Sequence, residues 1–181
     1  MGIVTIKIRD ILTQSVVVMT NEFDEGSVLS RKRYSYMNSL DLHDWDGRQP
    51  LIVFDGVCVL CSFFALSVLN RDKSKQFVFT TAQSELGQAL FDHYDLEKEE
   101  FETNLVIIDG QLYEKMYGAL AVFYFVGFPW RLLSYLKFLP SWLLNFLYER
   151  IARNRYALFG KQDHCLVPTK ELKARLVGCD G

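Results

Sequence analysis

The stretch Leu51-Ile52-Val53-Phe54-Asp55-Gly56-Val57-Cys58-Val59-Leu60-Cys61 narrows the folds open to this chain more than any other. Four consecutive apolar residues run into an Asp-Gly turn, and two cysteines follow at C-x-x-C spacing, the second already inside an apolar stretch of helical length. The pattern predicts a strand covered on both faces, a tight turn, and a dithiol at a helix N-terminus. A helix start exposes backbone N–H groups and carries the positive end of the macrodipole, so a thiolate there is stabilised and its pKa falls. Two thiols one turn apart can also close into a disulfide.

The flanking periodicities extend this unit. Residues 59–70 suit a helix buried on most of its circumference, residues 71–75 a charged turn, and residues 77–81 a second strand. A β-α-β unit follows, with a right-handed crossover and parallel strands. Thr81 is a suitable cap for a helix over residues 83–92, whose apolar side is Leu86, Ala89 and Leu90. The acidic run over residues 92–103 reads as a solvated loop or helix face rather than a metal site. Residues 105–108 and 111–114 are two β-capable segments separated by Asp109-Gly110, the dipeptide that best fits a type I′ hairpin. A helix over residues 116–126 ends at Gly127 and Pro129. The sheet expected is mixed, of at least four strands, with the dithiol at its edge.

That order of elements, with C-x-x-C after the first strand, is the order of the thioredoxin-like fold, an α/β architecture, here with extra C-terminal helices. One departure concerns the cis-proline that such proteins place before the hairpin, facing the dithiol. No proline occurs between Pro50 and Pro129, and Thr103-Asn104 stand in that place.

Composition excludes some functions. The net charge of −2 offers no basic surface for a phosphate backbone, so nucleic acid is not expected as a partner. Four cysteines in 181 residues are too few and too unevenly spread for a secreted disulfide scaffold. Lys7, Arg9 and Asp10 break the apolar run near the N-terminus, so no secretory h-region is expected and a cytoplasmic chain is the default. Residues 3–8 and 16–19 read as short strands, and residues 21–50 as an arm with little structure of its own. Residues 1–50 are accordingly an extension, residues 51–168 the thioredoxin-like domain with its appended helices, and residues 169–181 a tail.

After the hairpin domain, residues 130–139 and 141–159 are helical patterns divided by Pro140. Arg131 and Lys137 interrupt the apolar surface, so no transmembrane segment is expected. Packing on the α/β core is the first reading, and a peripheral membrane or protein contact through residues 130–159 is the alternative.

The motif Asp55-Gly56-Val57-Cys58-Val59-Leu60-Cys61, followed by Ile151-Ala152-Arg153-Asn154-Arg155-Tyr156-Ala157-Leu158-Phe159-Gly160-Lys161 and then by Cys165 and Pro168, resembles the DCC family of thiol-disulfide oxidoreductases. The resemblance covers residues 51–168 and implies a thioredoxin-like fold and dithiol chemistry on a protein or low-molecular-weight thiol or disulfide. It supplies no named substrate and no cofactor.

Within that chemistry, Cys58 stands nearer the helix start and is the candidate nucleophile, while Cys61, further in and expected to be more buried, resolves the mixed disulfide. Asp55 is a candidate proton acceptor for the resolving thiol or a cap for the helix; an Asp-Gly turn residue is the plainer reading. Arg153 and Arg155 are candidate supports for the thiolate, set against the surface pair Glu149–Arg153 at i, i+4 spacing. Cys165, which the resemblance places in a motif, is a candidate third redox thiol or a buried small apolar residue. A zinc site of Cys58, Cys61, His164 and Cys165 is the competing class; adjacent His-Cys makes a poor second half of such a site.

Overall fold

The computed structural model describes residues 33–42, 44–96, 104–160 and 169–178. Four strands, β1 (Leu51–Phe54), β2 (Val78–Thr81), β3 (Leu105–Ile108) and β4 (Gln111–Glu114), form one sheet in the order β2-β1-β3-β4. β1 runs parallel to β2 and antiparallel to β3, and β3 and β4 are the two arms of the hairpin. Among the described residues, five α-helices follow in sequence: α1 (Val59–Arg71), α2 (Glu85–His93), α3 (Lys115–Val126), α4 (Ser141–Phe159) and the short α5 (Lys170–Lys173). This mixed arrangement is a thioredoxin-like fold. β1 is an inner strand, so the dithiol stands at the end of the strands rather than beside an outer one.

Alternation along the inner strands divides the core into two layers, because successive side chains of a strand point to opposite faces. Ile52 and Phe54 with Val106 and Ile108 meet α1 and α3 through Ala65, Val68 and Val122. Leu51 and Val53 with Leu105 and Ile107 meet α2 through Leu86, Leu90 and Phe91. Every residue of β1 and β3 is buried. Each such Leu, Ile, Val or Phe contributes roughly 1.5–3 kcal/mol relative to exposure.

Asp109 and Gly110 both take positive φ, 50° and 76°, as a type I′ turn requires. Here the turn has a second role. Tyr34 N–H donates to Gly110 O at 2.7 Å, Tyr34 Oη donates to Asp109 Oδ1 at 2.9 Å, and Arg33 Nε donates to Asp109 O at 3.1 Å. A Cβ on Gly110 would stand 2.5 Å from the Tyr34 ring. Residues 33–42 and 44–50, read from the sequence as part of an arm with little structure of its own, therefore pack on the α2 side of the sheet. Tyr36 and Trp45 are buried there with rings stacked at 5.3 Å, and Tyr36 Oη donates to Gly47 O. The strands expected at residues 3–8 and 16–19 lie outside the described residues.

The start of α2 is also revised. Ser84, not Thr81, caps it: its Oγ accepts from Gly87 N–H at 3.0 Å, while Thr81 remains in β2. A Cβ on Gly87 would meet Thr81 O at 2.1 Å, so only glycine permits α2 to lie this close to the strand end.

The first of the two C-terminal segments, Trp130–Phe138, is a 3-10 helix rather than an α-helix. Trp130 anchors it, stacked on Phe123 of α3 at 5.8 Å and lying under the Arg71 guanidinium at 4.8 Å. Among the described residues no helix is long and apolar enough to cross a membrane. Residues 169–178, read as tail, cover the outer edge of the sheet. Leu172 is buried, Phe79 N–H donates to Arg175 O, and Val177 N–H donates to Phe79 O, both at 2.9 Å. The buried Arg175–Asp72 ion pair fixes this segment, and Arg175 Nε donates to Phe77 O at 2.9 Å. An otherwise unpaired strand edge is thereby occupied.

Candidate active site

The turn after β1 is built by Asp55. Its Oδ1 accepts from Val57 N–H at 3.1 Å and from Gln83 Nε2 at 2.8 Å, and Gly56 N–H donates to Gln83 Oε1 at 3.1 Å. Asp55 is thus a turn-forming residue, and the cap of α1 is Cys58 itself. Cys58 has extended backbone, φ −85° and ψ 120°, and its Sγ accepts from Cys61 N–H at 3.4 Å. A helix cap is the position where an acceptor is needed. A thiolate fills that need better than a thiol.

The two sulfurs differ sharply in acidity. The Cys58 thiol is lowered to about 6, chiefly by the hydrogen bond from the Cys61 thiol, then by the Cys61 backbone N–H and by the positive charge of Arg155, against the opposing effects of burial and of Asp55. Cys61 is pushed upward, first by its hydrogen bond to Cys58, then by burial and by the Cys58 negative charge. Both thiols are buried, Cys58 at 0 % and Cys61 at 3 % exposure.

Arg155 comes to this turn from 100 positions downstream. Its Nη2 lies 3.2 Å from Asp55 Oδ2, with both side chains buried. Tyr156 Oη donates to the same Oδ2 at 2.5 Å and accepts from Arg155 Nη2 at 2.9 Å. Burial, followed by the hydrogen bond to Asp55, pushes the Tyr156 hydroxyl up to about 12, so it stays protonated as a donor. Asp55 therefore has both oxygens engaged by four groups, and the structure sorts the two candidate arginines. Arg153 is exposed and pairs with Glu149 at 3.8 Å, which in turn lies 3.5 Å from Lys115 Nζ.

Asn104 stands immediately before β3, where the cis-proline was sought, and its Oδ1 is buried with no hydrogen-bond partner among the described residues. Thr103, His164, Cys165 and Cys179 lie outside the described residues. Among the described residues, no three His, Cys, Asp or Glu side chains converge on a position that could hold a metal ion.

A sequence model of the DCC1-like thiol-disulfide oxidoreductases matches residues 52–161, a span that contains all six residues of the site. The chain belongs to this family. It is 36 % identical over 127 residues to YuxK, an uncharacterized protein of Bacillus subtilis, covering 70 % of this chain and 93 % of that one. It is 31 % identical over 121 residues to a chloroplastic DCC family protein of Arabidopsis thaliana, covering 66 % of this chain and 70 % of that one. No solved structure matches. Membership supports a redox role for this DCC1-like chain.

Two members of the site escaped the sequence reading. Gln83 carries no motif signal, but the parallel register Phe54↔Thr81 and the Ala82 N–H to Phe54 O bond at 2.9 Å set the residues after β2 beside the turn after β1. The rule that groups after the carboxyl ends of adjacent parallel strands converge would have singled it out. Tyr156 lies inside the second family motif, next to Arg155, and only its bond to Asp55 reveals its part.

Proposed function

We propose that the protein is a cytoplasmic thiol-disulfide oxidoreductase in which Cys58 is the nucleophile and Cys61 the resolving thiol. The observation that carries this reading is the cap geometry: Cys58 Sγ accepts from Cys61 N–H, and the thiol is lowered to about 6. The Cys58 thiolate attacks one sulfur of a substrate disulfide, forming a mixed disulfide and releasing the other substrate sulfur as a thiolate, which takes a proton from water. Cys58 then no longer carries the negative charge that holds the Cys61 proton in place. Cys61 loses that proton and attacks Cys58 Sγ, closing the Cys58–Cys61 disulfide and releasing the second substrate thiol. Two electrons pass from the dithiol to the substrate, and an external dithiol or thiol pair restores the reduced form.

Arg155 sets the electrostatics of this cycle and Asp55 holds Arg155 in place. Asp55 is also the carboxylate assigned to receive the Cys61 proton, a transfer for which it must release one of its four hydrogen-bond donors. Both sulfurs are buried, so attack on a substrate requires a local opening at Cys58.

Trapping in lysate tests the assignment. Cys61→Ser reacts once and accumulates as a mixed disulfide that dithiothreitol dissolves, whereas Cys58→Ser forms no adduct and reduces nothing. Adducts on Cys58→Ser alone, or full reductase activity in both variants, would overturn it.

A further inference from the structure

Among the described residues, the exposed large apolar side chains gather in one part of the molecule. Apart from Phe63, all of them lie between Phe128 and Phe159. Leu132, Tyr135 and Phe138 project from the 3-10 helix, and Trp142, Phe146 and Ile151 from α4. On α4, Trp142, Phe146 and Arg150 follow one another at i, i+4 spacing on the face opposite the inward-turned Leu144 and Arg155, while Ile151 lies on the flank nearer those two. Monomeric soluble proteins seldom leave this many large apolar side chains of one segment in water.

We propose that this face docks on the surface of an anionic phospholipid bilayer. Charge argues for that occupant. Residues 127–160 contain five arginines and lysines and a single acid, Glu149, in a chain whose net charge is −2. Arg155 is spent inward on Asp55, but Arg131 and Arg150 are exposed beside the apolar face. The aromatic residues there include a tryptophan and a tyrosine, the side chains favoured at headgroup depth. No described helix is both long and apolar enough to span, so the proposed contact is one in which the segment lies on a bilayer. The same helix carries Arg155 and Tyr156 to Asp55, and at its end a Cβ on Gly160 would lie 3.9 Å from Val59, between the two cysteines. Docking therefore engages the outer side of the same helix whose inner side holds Arg155 and Tyr156 against the dithiol turn.

Co-sedimentation of the full chain with vesicles tests this, using phosphatidylcholine alone and phosphatidylcholine mixed with phosphatidylglycerol. The protein should sediment with the mixed vesicles and not with neutral ones, with a blue shift in tryptophan emission and release by added salt. Trp142→Ser with Phe146→Ser should abolish sedimentation, and Arg131→Glu with Arg150→Glu should weaken it by at least about tenfold. Circular dichroism and the alkylation rate of Cys58 should be unchanged in both, which separates this proposal from the dithiol chemistry. Equal binding to neutral vesicles, or none to anionic ones, would overturn it. So would a concentration-dependent dimer in light scattering that the Trp142/Phe146 pair of substitutions dissolves, because the face would then belong to a second copy.

Discussion

Arg155 Nη2 meets Asp55 Oδ2 at 3.2 Å in a place where neither side chain reaches water. The pair ties the last turns of α4 to the turn that presents the dithiol, and it sets opposite charges beside Cys58. Arg155 favours the Cys58 thiolate and Asp55 opposes it. Their removal should therefore act in opposite directions.

Arg155→Met should raise the Cys58 pKa and Asp55→Asn should lower it further, read as the pH midpoint of iodoacetamide alkylation in the reduced protein. Each single substitution leaves a buried group without its counter-charge, so each should cost about 3–5 kcal/mol in urea unfolding. The double variant removes both charges and should lose less than the sum. Shifts of the same sign in the two single variants would contradict the arrangement described here.

The acidity of Cys58 gives a pH dependence of defined sign. Reaction follows the thiolate, which is the deprotonated form, so a thiol lowered to about 6 is about nine-tenths reactive at pH 7 and about one-tenth at pH 5. Alkylation of Cys58 should rise through pH 6 and level off by pH 8, slowly in absolute rate because the sulfur is buried. Cys61, shifted upward, should remain unmodified across that range, as peptide mass mapping would show.

Gln83 and Tyr156 can be tested without adding or removing a formal charge. Gln83→Leu leaves Gly56 N–H and one Asp55 oxygen short of a partner, and Tyr156→Phe removes the hydroxyl between Asp55 and Arg155. Each should cost about 1–3 kcal/mol in chemical denaturation. Both should also broaden the exchange protection of Gly56 and Val57 amides relative to the core strands.

Gly110→Ala tests the docking of residues 33–50. The new Cβ meets the Tyr34 ring and sits at φ 76°, where side chains are strained. Limited proteolysis should then cut within residues 33–50 well before the core is cleaved, while the Cys58 alkylation midpoint stays near its original value.

Much of the fold was legible because local residue types dictated it. Asp109-Gly110 admits few backbones other than a type I′ turn, and the continuous apolar runs 51–54 and 105–108 are what strands covered on both faces require. The dithiol at a helix start was legible for the same reason. Choosing Arg155 over Arg153 was not: the i, i+4 rule correctly pairs Arg153 with Glu149, but which face of α4 turns inward depends on packing against Asp55. Residues 33–50 offered no period to read, because Tyr36 and Trp45 pack from irregular backbone. Gln83 needed the strand register, a property of two segments together.

The separation of Asp55 from Arg155 also has a meaning during synthesis. A ribosome adds about 5–20 residues per second, so the 100 residues between them delay their meeting by about 5–20 s after Asp55 is made. Throughout that interval the growing chain carries Cys58 without the guanidinium that favours its thiolate. Until α4 has emerged and docked, Cys58 lacks this one contribution to its thiolate and the Asp55 carboxylate lacks its buried counter-charge, so the dithiol turn reaches its final electrostatic setting only near the end of synthesis.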